Sequence, residues 1–198
     1  MYKNYNGGFI EVITGPMFAD KSRTLISRVS NLRYANKTIK VYKPSIDNRY
    51  SEDKIVSHNG EKLEAKSVIN SQEIMNDLLS KMEKFPDVVI IDEVQFFDYN
   101  IVKVVEKLAN AGVRVIVAGL DQDFRGESFP IVAELMARAE IITKLTAVCT
   151  VCGAAATRSQ RLVDGKPAEM TDDTVKIGAK ESYEARCREH HEIDKDKR

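Results

Sequence analysis

The chain has no excess of either charge. Its 198 residues carry 30 Lys plus Arg and 30 Asp plus Glu, for a formal net charge of zero. Proteins whose main partner is nucleic acid usually show a basic surplus. The balance therefore argues against that class and leaves only a locally basic face as a route to it. No apolar run approaches the roughly 18 residues that signal a membrane span. The opening "MYKNYNGGF" lacks the hydrophobic centre of a signal peptide, so a cytoplasmic protein is expected. Cysteine is scarce: three residues, an odd number, which reads as cytosolic thiols rather than a disulfide framework. No internal repeat or low-complexity segment occurs.

What is present is an ordinary globular composition, 43% hydrophobic and 30% charged. The length suits one substantial domain with a small annex. "FIEVIT", Phe9 to Thr14, is a β-rich run ending at Gly15. The following stretch spaces Leu25, Ile26, Val29 and Leu32 along one helical stripe. "TIKVYK" alternates like a strand, and residues 44–54 are polar and turn-rich. Ser71 is placed to cap a helix carrying Ile74, Leu78 and Met82. "VVII", Val88 to Ile91, is a continuous apolar run of the kind buried on both faces of a parallel sheet. "IVKVVEKLANAG" is a helix stopped by Gly112, and "VRVIVAG" a further buried strand. Alternating helix- and strand-length segments imply an α/β domain with a parallel sheet over residues 1–145. From Cys149 the texture turns to short β pieces around the Asp164–Gly165 turn, giving a β-rich lobe over residues 146–198.

Three constellations could carry chemistry. The first is "GPMFADKSR", between the first strand and the first helix. A phosphate-binding loop reads G-x-x-x-x-G-K-[ST]. Gly15, Lys21 and Ser22 keep that spacing across Pro16, Met17, Phe18 and Ala19, but Asp20 replaces the second glycine. Backbone amides of such a loop wrap phosphate oxygens, the lysine meets the outer phosphates and the hydroxyl ligates magnesium. Asp20 sets a side chain and a negative charge against that polyanion; Arg23, three residues on, is placed to pair with it. The second is "VVIIDEVQFF". Asp92 ends an apolar strand, as a magnesium carboxylate does. Glu93 follows it, where a second carboxylate could accept the proton of an attacking hydroxyl. The third is Cys149-x-x-Cys152 with Cys187-x-x-His190. Paired sulfur and nitrogen ligands suit tetrahedral zinc, and four protein ligands make the site structural. His191 competes with His190 for the fourth position.

The strings "GPMFADKS", "IDNRYSED", "VSHNG", "IDEVQFF", "AGLDQDFRGESF", "AVCTVCG", "SQRLVDGKPA" and "ESYEARCREHH" stand in the order found in zinc-containing, type II thymidine kinases, which the chain resembles over about residues 8 to 191. The resemblance implies a RecA-like α/β core with a small zinc lobe, assembled as a homotetramer. It implies ATP- and magnesium-dependent phosphorylation of the 5′-hydroxyl of thymidine or deoxyuridine, with Glu93 as general base and Asp92 supporting magnesium. It places Met17, Phe96, Leu120, Phe124 and Phe129 around the nucleoside. It also brings Asp47 and Arg49 to the active site on a loop. Ile177, Gly178 and Tyr183 fall in a lasso that reads the thymine edge and holds the sugar. Asp20 is the departure from the family's loop, so a catalytically impaired nucleoside-binding or oligomerisation relative stands as the alternative.

Overall fold

The computed structural model describes residues 7–46, 54–56, 60–81, 84–174 and 181–193. Asp47, Arg49, Met82, Ile177 and Gly178 lie outside them. In chain order the first part contains β1 (Phe9–Thr14), α1 (Lys21–Tyr34), β2 (Ile39–Pro44), β3 (Lys54–Val56), β4 (Lys62–Glu64), β5 (Lys66–Val68) and α2 (Ser71–Lys81). It continues with β6 (Val88–Ile91), a 3-10 turn (Val94–Phe96), α3 (Ile101–Asn110), β7 (Arg114–Gly119), α4 (Pro130–Arg138) and β8 (Ile141–Lys144). Then come only short strands: β9 (Ala147–Val148), β10 (Ala155–Ala156), β11 (Arg158–Val163), β12 (Lys166–Pro167) and β13 (Glu181–Arg186).

Six strands form one sheet in the order β5-β2-β6-β7-β1-β8, and every pair in it is parallel. This is the α/β parallel sheet expected of the sequence. Side chains alternate across it, so each central strand feeds two cores. Ile10, Val12, Val89, Ile91, Val115 and Val117 pack with residues of α2, α3 and α4. Ile13, Val88, Ile90, Ile116 and Ala118 pack with Leu25 and Val29 of α1 and with Ile55 and Leu63 of the β3–β4 hairpin. The run "VVII" is buried at all four positions because it is covered on both faces. Among the described residues no helix is long and apolar enough to cross a membrane.

The order places β7 between the strand that leads into the phosphate loop and the strand that ends in Asp92. Thr14 stands beside Gly119 on one side of β7, and Ile91 beside Val117 on the other. The carboxyl ends of three strands thus converge where open α/β sheets place their ligands.

Helix ends follow local chemistry. Gly112, at φ 91°, closes α3: its amide donates to the Ala109 carbonyl and that of Val113 to the Leu108 carbonyl, the paired bonds of a glycine-terminated helix. Ser71 does not cap α2. The Asn70 side chain accepts the Glu73 amide instead, and the Glu73 carboxylate reaches back to the Ile69 amide. Ser71 gives its amide and hydroxyl to Asp98, at 2.7 and 2.8 Å. Asp98 also accepts the Asn100 amide just before α3, so one carboxylate ties the starts of two helices. Burial pushes the Asp98 carboxyl up, but the Ser71 and Asn100 donors outweigh it and hold it below its ordinary value. A depressed carboxyl stabilises the fold above its unfolded value, near ~3.9, and that contribution is lost as pH falls through the folded value. Asp98→Ala is therefore expected to cost about 1 kcal/mol at pH 7 by urea unfolding. The gap from the parent protein should narrow below about pH 4.

Candidate active site

The phosphate loop leaves β1 under tight restraint. The Thr14 hydroxyl donates to the Gly119 carbonyl at 2.9 Å. Gly15 has φ 141°, and a Cβ there would stand 2.4 Å from the Leu145 carbonyl oxygen, so no other residue fits. The Lys21 ammonium folds back onto the loop and donates to the carbonyls of Gly15 (3.2 Å) and Pro16 (2.7 Å). Phe18 and Asp20 both sit in the left-handed region, at φ 64° and 58°. Aspartate tolerates that conformation better than most residues, so the backbone takes a shape glycine would take without a glycine. The Asp20 carboxylate pairs with Arg23 at 3.8 Å, with both side chains more than half exposed.

The loop is also held from outside the large sheet. The Met17 amide donates to the Ser159 hydroxyl of β11 at 3.0 Å. Ala19 is buried among Ala147, Cys149, Ala156 and Ala185. The small lobe thus packs directly against the phosphate loop.

On the acidic strand, Asp92 is buried, and one of its oxygens accepts the Glu93 amide at 3.0 Å. Glu93 is half-buried and left-handed, at φ 48°. Its carboxylate accepts a hydrogen bond from the Gln95 amide at 2.5 Å, and the Gln95 carbonyl accepts the Leu120 amide at 3.1 Å. Phe96 and Phe129 meet edge to face with centroids 6.5 Å apart. Phe124 is buried, with the Arg161 guanidinium 5.0 Å from its ring. Arg161 lies opposite Tyr183 in the β11–β13 pair. Met17, Phe96, Leu120, Phe124, Phe129 and Tyr183 are therefore linked, directly or through one intervening residue, to the convergent strand ends or to the lobe that abuts them. Gln95, Ser159 and Arg161, which stand within the strings quoted from the sequence but had no role assigned to them there, also belong to this region.

Cys149, Cys152, Cys187 and His190 come together, with all four ligand atoms within 4.8 Å of one another. The first pair sits in the β9–β10 turn, closed by the Gly153 amide donating to the Cys149 carbonyl; the second follows β13. Zinc–sulfur bonds of about 2.3 Å in a tetrahedron set sulfurs about 3.8 Å apart, and the Cys152 and Cys187 sulfurs are 3.8 Å apart. The donor set and spacing therefore fit that ion. Burial pushes the Cys149 thiol up, but backbone amides of Cys187, Cys152 and Val151 outweigh it and bring it to about 6. The His190 imidazole at 3.1 Å holds the Cys187 thiol below its ordinary value. His191 turns away from the cluster and donates to the Phe124 carbonyl at 2.8 Å.

A model of the thymidine kinase family matches residues 8–191. Among solved structures, the chain is similar to the ATPase DotB of Legionella pneumophila at 15% identity and a TM-score of 0.45, over 77% of this chain and 44% of that one. It is similar to a DNA replication initiation factor at 15% identity and a TM-score of 0.40, over 70% of this chain and 40% of that one. The chain spans less than half the length of either protein.

Proposed function

Because the chain belongs to the thymidine kinase family, we propose that it transfers the γ-phosphoryl group of ATP to the 5′-hydroxyl of thymidine or deoxyuridine. The observation that supports this most directly is the convergence of Lys21 and its loop with Asp92 and Glu93 at the carboxyl ends of one parallel sheet. In this reading the backbone of residues 15–20, Lys21 and Ser22 receive the triphosphate. Ser22 and Asp92 are the residues that would hold magnesium, which offsets charge on the phosphates when bound. Glu93 takes the proton of the 5′-hydroxyl as its oxygen bonds to the γ-phosphorus and the bond to ADP breaks. Met17, Phe96, Leu120, Phe124 and Phe129 enclose the nucleoside. Asp47 and Arg49, with Ile177, Gly178 and Tyr183, complete it from the loop and the lasso. We place the division between the kinase core and the small lobe near residue 145, and we take the protein to be a cytoplasmic homotetramer without nucleic-acid or membrane partners.

One observation favours a second reading, a nucleoside-binding relative with impaired turnover: Asp20 occupies the glycine position of the phosphate loop. A coupled assay for ADP formation separates the two. Thymidine-dependent ADP release supports the kinase. Thymidine binding by calorimetry without ADP release supports the impaired relative.

Cys149, Cys152, Cys187 and His190 would hold a structural zinc ion. Elemental analysis of freshly purified protein is expected to return one zinc per chain, and Cys187→Ser is expected to lose it. Because Cys149 packs against Ala19, stripping the metal with a chelator should also weaken ATP binding in calorimetric titration. Metal-free protein straight from purification would remove the assignment.

A further inference from the structure

Gln95 is almost fully buried, 7% exposed, yet it faces polar groups at both ends of its amide. The Leu120 N–H can only donate, so the side-chain oxygen of Gln95 must face it. That fixes the NH₂ end on the Glu93 carboxylate, which can only accept when ionised. The orientation of this amide is thus dictated by its partners rather than chosen between two equivalent flips.

The two ends of the bridge sit in different elements. Leu120 directly follows β7, the strand between β6 and β1 in the sheet. Glu93 stands in a left-handed conformation at φ 48°, ψ 43°, ahead of a single 3-10 turn. Such a residue keeps an unfavourable backbone shape only where its surroundings over-determine it. Gln95 is one element of those surroundings: it stands in the turn itself, and its side chain links the carboxylate to the Leu120 amide at the end of β7. Gly119 completes the arrangement. A Cβ at Gly119 would stand 2.5 Å from the Gln95 side-chain oxygen and 3.0 Å from Val94 Cγ1. The space that glycine leaves open is the seat of the Gln95 amide.

We infer that Gln95 is a positioning residue for phosphoryl transfer: its amide, seated over Gly119, fixes the Glu93 carboxylate relative to the end of β7 where the reacting hydroxyl must arrive. The inference rests on the reading of Glu93 as the proton acceptor. Displacing a reacting group by about 1 Å costs on the order of a hundredfold in rate, so a carboxylate released from this bridge loses turnover before it loses ligand.

The test is a double-variant cycle on the full chain, with ADP release giving kcat and calorimetry giving thymidine affinity. Gln95→Met matches the length and removes both polar ends. Gln95→Glu keeps an acceptor for the Leu120 amide and removes the donor to Glu93. Both are expected to lower kcat by about tenfold to a hundredfold with thymidine affinity within about twofold of the parent. Gly119→Ala, which alters neither side chain itself, should do the same by pressing on the amide and unseating it. A residue that acts through another shows no further effect once that other is gone. Glu93→Gln with Gln95→Met should therefore turn over no more slowly than Glu93→Gln alone. Parent-like kcat in Gln95→Glu would overturn the inference, and so would kcat losses that multiply in the double variant. Parent-like kcat in Glu93→Gln alone would instead remove the base reading, and the inference with it.

Discussion

Glu93→Gln is expected to lower turnover by about 10²–10⁴-fold, the usual worth of general-base assistance, while thymidine binding stays close to that of the parent. The substitution is nearly isosteric. Its side-chain oxygen can still accept from Gln95, so the bridge to Leu120 survives. What disappears is the capacity to take a proton from a hydroxyl. The effect should therefore fall on kcat, since ground-state binding of the nucleoside does not need that proton to move. The coupled ADP assay reads the first quantity and calorimetric titration with thymidine reads the second. Turnover close to the parent's would mean the proton goes elsewhere. Asp92 is the nearest alternative, although one of its oxygens already accepts the Glu93 amide.

The parts of this site that could be read from the sequence are those whose chemistry is contiguous. Gly15, Lys21 and Ser22 lie within one loop, and a strand and helix flank it. The continuous apolar run Val88 to Ile91 announces a strand covered on both faces, and Asp92 marks its end. The parts that could not be read depend on contacts distant along the chain. Gln95 looks like one more polar residue until Leu120, 25 positions away, is brought to its carbonyl. Ser159 meets Met17 across 142 positions. Glu11 sits in a mostly apolar strand and is 1% exposed; it is tolerable there because Arg28 and Arg114 pair with its two oxygens. The spacing Cys-x-x-His left His190 and His191 as rivals, because adjacent residues can point in opposite directions. The folded structure separates them: His190 joins the three cysteines, and His191 docks against the Phe124 carbonyl. Ser71 carried the right residue type for a cap but one position too late, and Asn70 took the role. Asp20 was visible as a foreign carboxylate, but its backbone conformation was not.

That conformation shapes the expected result of Asp20→Gly: tighter ATP binding by at least roughly tenfold, which is about 1.4 kcal/mol, with thymidine affinity almost unchanged. Two contributions change with the substitution, one to folding stability and one to ATP binding. Asp20 holds φ 58°, ψ 30°, and a left-handed residue with a Cβ costs about 1–2 kcal/mol that glycine does not. Relief of this strain should raise the stability of the free protein and leave the loop's shape intact. The second contribution is electrostatic. A carboxylate about 4 Å from a phosphate oxygen costs about 1 kcal/mol in bulk water and several times more where water is partly excluded. The Arg23 pair does little to cancel it, because at 3.8 Å with both partners more than half exposed such a pair contributes at most about 1 kcal/mol. Arg23→Ala in the parent protein should still weaken ATP binding modestly. Asp20→Asn separates the two contributions, since asparagine adopts the same backbone shape and has no charge. ATP affinity in Asp20→Asn matching that of Asp20→Gly would assign the effect to charge. Affinity that stays at the parent's level in Asp20→Asn but rises in Asp20→Gly would assign it to the Cβ and backbone. Calorimetric titration with magnesium-ATP measures all four proteins on one scale. Equal affinity in the parent and Asp20→Gly would mean that the loop accommodates aspartate at no cost to phosphate binding, and the reading of an impaired relative would lose its only support.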